Sequence, residues 1–231
     1  MTVAMRSAIH GLSAATIVAV ICLVPAPCAK ADSKVLPAAG CVTIGTPKLN
    51  RGYSYRQTQS SGGVSEFTDW WEQFTSTGSR LLTTPGRSKG TGILTVNRHR
   101  IANDALVLDS SSQSGPGAGG SSWYKPGAVS APARACMGHS WPVPGVTVTN
   151  QSSQGTFSAR SDEGTLKIVS IHEAITVPAG KFDTVHWTRN LRAQTGLQMN
   201  EYWTSIDDGV IVKRIHTMRG IVITATLQAI Q

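Results

Sequence analysis

Between Ile171 and Ile215 the apolar positions fall in short alternating runs separated by turn residues, the clearest strand pattern in the chain. Ile171 to Val177 forms one arm, Pro178-Ala179-Gly180 a corner, and Phe182 to about Leu191 the return arm. Pro178 stops strand pairing because it has no N–H, and Gly180 can adopt the positive φ that a tight corner requires. A third arm carries Glu201-Tyr202-Trp203-Thr204, and Asp207-Asp208-Gly209 turns it into Val210 to Ile215. The same grammar continues on both sides. Tyr53 to Thr58 alternates, Ser60 to Gly63 is a turn cluster, and Asn103-Asp104 joins Gly92 to Val96 with Ala105 to Asp109. Val146 to Thr149, Gly155 to Arg160, Thr165 to Ile171 and Ile221 to Gln231 complete the set. Phe67, Trp70, Trp71 and Phe74 fit helical spacing, but the Thr and Ser residues around them and the short turn-bounded neighbours favour a strand over 64–77. Many short strands without alternating helices predict an all-β, mainly antiparallel architecture: a single curled sheet or half-barrel with room for a minor helix.

Three stretches depart from this pattern. Residues 1–31 carry Arg6, an apolar run from Leu12 to Val24 and a polar end with small residues at Ala29 and Ala31, the layout of a secretory signal cleaved after Ala31. The apolar run is shorter than the about 20 residues of a membrane span, so no integral membrane protein is expected. Residues 32–50 read as a lead-in tethered by Cys41, and residues 110–134, rich in Ser, Gly, Ala and Pro, read as a long loop because they offer little apolar area against their ordering entropy. A single β-rich domain over 51–231 is expected. Such a chain would be periplasmic or secreted.

Charge and cysteine content narrow the function classes. The chain carries a net charge of +8, of which the signal supplies Arg6 and Lys30. The remaining basic residues are scattered, the densest group being Arg98-His99-Arg100, and nucleic-acid binding is not expected. Cys22 and Cys28 leave with the signal, so Cys41 and Cys136 remain to form one disulfide in an oxidising compartment.

Candidate chemistry adds little. Gly138-His139-Ser140-Trp141-Pro142 resembles a nucleophile elbow, but Pro142 stands where the second glycine belongs and Pro144 argues against a following helix. A hydrolase using Ser140 is the least favoured reading. His172 and Glu173 are strand neighbours and should point to opposite faces. His99, His186 and His216 lack metal-ligand spacing, and Asp162-Glu163-Gly164 and Asp207-Asp208-Gly209 have hairpin-turn composition. No catalytic residue, metal or cofactor is expected, and nothing in the chain bears on oligomeric state. Six tryptophans stand out. Most should be core, but Trp141, Trp187, Tyr202 and Trp203 are the candidates for lining a concave site for an apolar or lipid-like ligand.

Gly138-His139-Ser140-Trp141, Glu173 with Val177-Pro178-Ala179-Gly180-Lys181-Phe182, Tyr202-Trp203, and Gly209-Val210-Ile211-Val212-Lys213 together resemble a group of uncharacterised bacterial periplasmic proteins. That group is distantly similar in fold to the lipoprotein carriers LolA and LolB. The resemblance implies a curled antiparallel sheet and brings no catalytic residues. An exported β-protein with a hydrophobic or envelope-derived ligand on its concave face is the leading expectation. A structural or protein-interaction module of the envelope is the alternative.

Overall fold

The computed structural model describes residues 40–74, 79–85, 94–115, 118–193 and 196–231, so residues 1–39, with the expected signal and its cleavage point, lie outside the described residues. The chain forms β1 (Cys41–Thr43), β2 (Gly52–Gln59), β3 (Val64–Phe74), β4 (Ser79–Pro85), β5 (Leu94–Ala102), β6 (Ala105–Gly115), β7 (Ala118–Pro132) and β8 (Arg134–Cys136). It continues through β9 (Ser140–Val143), β10 (Thr147–Ser152), β11 (Gly155–Arg160), β12 (Glu163–Val177), β13 (Gly180–Ala193), β14 (Gly196–Ser205), β15 (Ile211–Met218) and β16 (Ile221–Ile230). No α-helix occurs among the described residues, so the room left for a minor helix is not used there. β1 and β8 pair as a ribbon, and the other 14 strands form one sheet in the order β11-β10-β7-β6-β5-β4-β3-β2-β16-β15-β14-β13-β12-β9. The sheet is antiparallel and curled without closing into a barrel, as the strand pattern predicts.

Chain connectivity dictates the curl. β9 and β11 lie at opposite ends of the sheet. Yet the chain passes from β9 to β10 through residues 144–146 alone, and from β11 to β12 through Ser161 and Asp162 alone. Links this short span at most about 10–14 Å, so the two ends must approach each other. The Ser161 N–H donates to the Val146 carbonyl at 2.8 Å, and the Ser161 hydroxyl accepts from the Val146 N–H at 2.9 Å, stapling the links together. Asp162-Glu163-Gly164 is therefore a crossover between sheet ends and not the hairpin turn its composition suggests. Asp207-Asp208-Gly209 does turn β14 into β15, with Gly209 at φ 64° and its N–H on the Ser205 carbonyl.

Two apolar clusters hold the curl. In the first, Leu166, Ile168, Val185, Trp187 and Tyr202 meet Ala135 of β8 and Val143 of β9, with Val42 and Ile44 packed against them. The β1–β8 ribbon thus covers β12–β14, and the Cys41–Cys136 disulfide, with Cα atoms 4.0 Å apart, clamps it. In the second, Tyr53, Tyr55, Trp71, Val210 and Leu227 receive Val177, Ala179 and Phe182 from the corner of the β12–β13 hairpin. The corner is fixed as expected: Val177 pairs with Gly180, which has φ 138°, leaving Pro178 and Ala179 as turn residues that need no ladder bonds.

One expectation about order is corrected. The described residues of 110–134 are strand except for Ala133: the end of β6, all of β7 and the first residue of β8, with 116–117 outside the described residues. Their Ser, Gly and Ala side chains bury little, but β5 and β10 flank the pair and satisfy its backbone groups, which composition alone could not reveal. Pro126 and Gly127 fall at the register break between Leu108 and Ser110, where a missing N–H breaks no β6–β7 pair. In the lead-in, from residue 40 onward, Cys41 to Thr43 pair with Arg134 to Cys136 and the Gly45 N–H donates to the Ile206 carbonyl at 2.7 Å. A Cβ on Gly45 would run into the Asp207 carbonyl, so glycine is required by close approach. Residues 64–74 are strand, as favoured; 75–77 and 92–93 lie outside the described residues.

Candidate functional site

Register separates the four aromatic candidates. Trp187 pairs with Tyr202, and the adjacent pair is His186 with Trp203. Successive strand residues face opposite sides, so Trp187 and Tyr202 lie on one face and Trp203 on the other. Trp187 and Tyr202 stack with ring centres 4.0 Å apart inside the first cluster, and the Trp187 indole N–H donates to Thr204 Oγ1 at 2.9 Å. Both are buried. Trp141 is half-buried on β9 beside this cluster, its ring 4.0 Å from that of His139. The four therefore do not line one groove: Trp187 and Tyr202 are core stacking partners, Trp141 sits at the sheet end, and Trp203 belongs to a separate group. Ser140 pairs with Lys167 within β9, not on a strand-to-helix turn, so the elbow geometry is not formed.

That separate group centres on a β-bulge. The β12–β13 register shifts between Ile168 and Ser170 and again between Ser170 and Glu173, with His172 at φ 60°. The extra residues break the simple alternation, a device common where a sheet re-aims a side chain. His172 turns outward to Asp183, with Nδ1 and Oδ2 2.7 Å apart, while Glu173 accepts from Ser170 Oγ and from the Trp203 indole N–H at 2.8 Å. His186 stacks on Trp203 and lies between Glu173, at 3.4 Å, and Glu201, at 3.3 Å. Lys213 Nζ sits 4.7 Å from the Trp203 ring centre, a cation–π contact. The Ser170 hydroxyl, with help from Trp203 and His186, holds the Glu173 carboxyl below its ordinary range against the opposing effect of burial. Ser170 on β12 and Trp203 on β14 thus each donate to the Glu173 carboxylate, and His186 on β13 lies beside it, so the group links the bulge to two neighbouring strands. Among the described residues no cluster of three or more His, Cys, Asp or Glu is arranged to hold a metal, and no helix is long and apolar enough to cross a membrane.

The Trp187–Tyr202 face carries residues that sequence reading missed. Arg189 pairs with Asn200, and Asn200 with His216, forming one cross-strand row; the neighbouring row is Trp187, Tyr202 and Arg214. Asn200 is buried and donates to the Arg189 carbonyl at 2.8 Å. The curl brings β7 over this row, so Arg189 Nη1 reaches the Val129 and Ser130 carbonyls at 3.5 and 3.3 Å. Arg189 Nη2 donates to the Tyr202 hydroxyl at 3.4 Å, and the His216 ring meets Tyr202 edge-on at 5.6 Å. Arg214 lies over Phe67 and donates to Gln57 Oε1 at 3.4 Å. Burial, reinforced by Arg214 and Arg189, depresses His216 to about 4. The signal that could have found this row is a polar residue two positions from each of Trp187, Tyr202 and Arg214, after the first and third and before the second, but using it requires the inter-strand register.

No protein-family model and no curated protein matches the chain. Among solved structures, one described as a "putative lipoprotein" from Parabacteroides distasonis is similar at 13% identity and a TM-score of 0.49, over 82% of this chain and 99% of that one. A "putative exported protein with YmcC-like fold" from Bacteroides fragilis is 10% identical with a TM-score of 0.44, covering 83% and 100%. The hypothetical lipoprotein YmcC from Escherichia coli is 9% identical with a TM-score of 0.35, covering 76% and 83%.

Proposed function

We propose that this chain is an exported β-protein of the cell envelope that holds an apolar or lipid-like, envelope-derived ligand on the concave face of its curled sheet. The observation that carries the reading is the polar seam between the two apolar clusters. They share no buried residue, and half-buried Arg189 and His216 against Tyr202 of the first, with Arg214 over Phe67 beside the second, stand where aliphatic residues would join them. Interiors normally pack to high density with apolar side chains, so a polar strip at the centre of a curl suits an occupant. The signal-like residues 1–31 and the Cys41–Cys136 bond fit an oxidising compartment. Lipid extraction and native mass spectrometry of protein purified from its own envelope should recover a bound small molecule, and lipids should quench tryptophan fluorescence saturably. Finding neither would remove the reading.

A second reading, a protein-interaction module, is favoured by β11. Every residue of this end strand is exposed, Phe157 to 59%, and only one of its edges is paired. Such an edge can template strand addition. In-cell cross-linking from position 157 should then yield one defined protein adduct, and a diffuse pattern would count against it.

A further inference from the structure

We propose that the concave strip is an anion site in which Arg189, His216 and Arg214 receive the phosphate or carboxylate head of an amphiphile. The inference rests on the ligand-holding reading above and names the chemistry of its ligand. Arg189 Nε and His216 Nε2 are both buried with no hydrogen-bond partner, on the same cross-strand row. Buried polar atoms are almost always satisfied, so two orphaned nitrogens facing one strip mark a place where an acceptor is missing. The bonds that Arg189 does make are long, 3.3 to 3.5 Å, and go to neutral oxygens. A charge-assisted bond to an anion is shorter, about 2.7–2.9 Å, so an anionic oxygen would outcompete them.

Charge balance agrees. Among the described residues no carboxylate lies within ion-pair distance of Arg189 or Arg214. The acid that does interact with Arg214 is Asp69, which is held by the Thr83 hydroxyl at 2.6 Å. Arg189 thus has no acid partner among the described residues and Arg214 only the field of Asp69, in a partly desolvated setting where a guanidinium fork is well suited to phosphate or carboxylate. The Trp187–Tyr202 stack borders it on one side, and Phe67 and Tyr55, themselves stacked at 4.8 Å, border it on the other. These aromatic flanks are what make an amphiphile, and not a bare anion, the expected occupant.

The test titrates the full chain with dodecyl phosphate below its micellar range, dodecanol and inorganic phosphate, reading heat and tryptophan fluorescence. Dodecyl phosphate should bind about tenfold or more tightly than dodecanol, and R189Q and R214Q should each lose about tenfold of that affinity while leaving dodecanol binding unchanged. Inorganic phosphate binding as tightly as dodecyl phosphate would support the anion site and remove the apolar chain from the ligand. Equal binding of dodecyl phosphate and dodecanol, insensitive to both arginine variants, would overturn the anion site and leave the ligand-holding reading standing. Binding of none of the three, with no co-purifying molecule, would overturn both. H216Q provides a third variant with a neutral side chain, should an arginine variant fail to fold.

Discussion

Trp187 and Trp123 sit in strands of the same sheet, yet Trp187 is 1% exposed and Trp123 is 40% exposed. Trp187 on β13 lies under Tyr202 and beside the β1–β8 ribbon. Trp123 on β7 has Ser110 and Thr149 as its cross-strand neighbours. The two arms thus share backbone pairing and differ in what is laid across them. One arm, β12 to β16 with β2 and β3, carries large side chains and receives the ribbon and the hairpin corner; the other, the end of β6 and start of β7 with β10 and β11, is rich in Ser, Gly and Thr. Sheet pairing satisfies the backbone in both, but only cover removes apolar area from water.

The sharpest test of this contrast is truncation of the two tryptophans. Trp187→Ala should cost about 3–5 kcal/mol, the loss typical of a buried aromatic, against under about 1 kcal/mol for Trp123→Ala, measured by urea unfolding. Similar costs at the two sites would mean that the cover over β13 is not what buries Trp187. The ribbon can be probed separately. Cys41→Ser opens a loop of 95 residues and should cost up to about 4 kcal/mol, with reductant lowering the wild-type Tm and leaving the variant unmoved. A wild-type Tm indifferent to reductant would show that the ribbon needs no clamp.

Asp69 offers a pH test on the covered arm. Burial pushes its carboxyl up to about 6, opposed by the Thr83 hydroxyl and Arg214. An acid with a raised folded pKa binds more protons folded than unfolded between its ordinary value near 3.9 and about 6, so stability falls as pH rises through that window. Asp69→Asn should therefore gain up to about 3 kcal/mol relative to wild type above pH 6 and nothing below about pH 4. A gain constant across pH would assign the effect to packing and not to charge. The smallest effect belongs to the uncovered arm: Phe157→Lys on β11 should stay within about 0.5 kcal/mol, and a larger loss would reveal cover over that strand.

Many of the turns were legible from residue pattern. The Pro178-Ala179-Gly180 corner, the Asp207-Asp208-Gly209 turn and the Asn103-Asp104 turn all act through local backbone chemistry. Asn103 and Asp104 adopt φ 51° and 60°, the left-handed pair of a two-residue hairpin, which Asn and Asp tolerate. Cys41 and Cys136 could be paired because they are the two cysteines outside the signal-like residues 1–31. The strand in 110–134 was not legible, because its stability comes from neighbours on both sides and not from its own side chains. The bulge at His172 was equally hidden. An alternation rule predicts opposite faces for His172 and Glu173 but gives no hint that Glu173 will meet His186, Glu201's partner, beneath Trp203.

From its own residues this chain determined strand identity and corner positions, since both follow from alternation, from proline's missing N–H and from glycine's freedom at positive φ. The tertiary structure decided which face each strand buries and which polar groups converge. Arg189, Asn200 and His216 are separated along the chain and become one row only through register, and β7 meets β13 only because the short links at 144–146 and 161–162 pull the sheet ends together. Register and curl are properties of the assembled sheet, set by long-range pairing, and no local stretch encodes them.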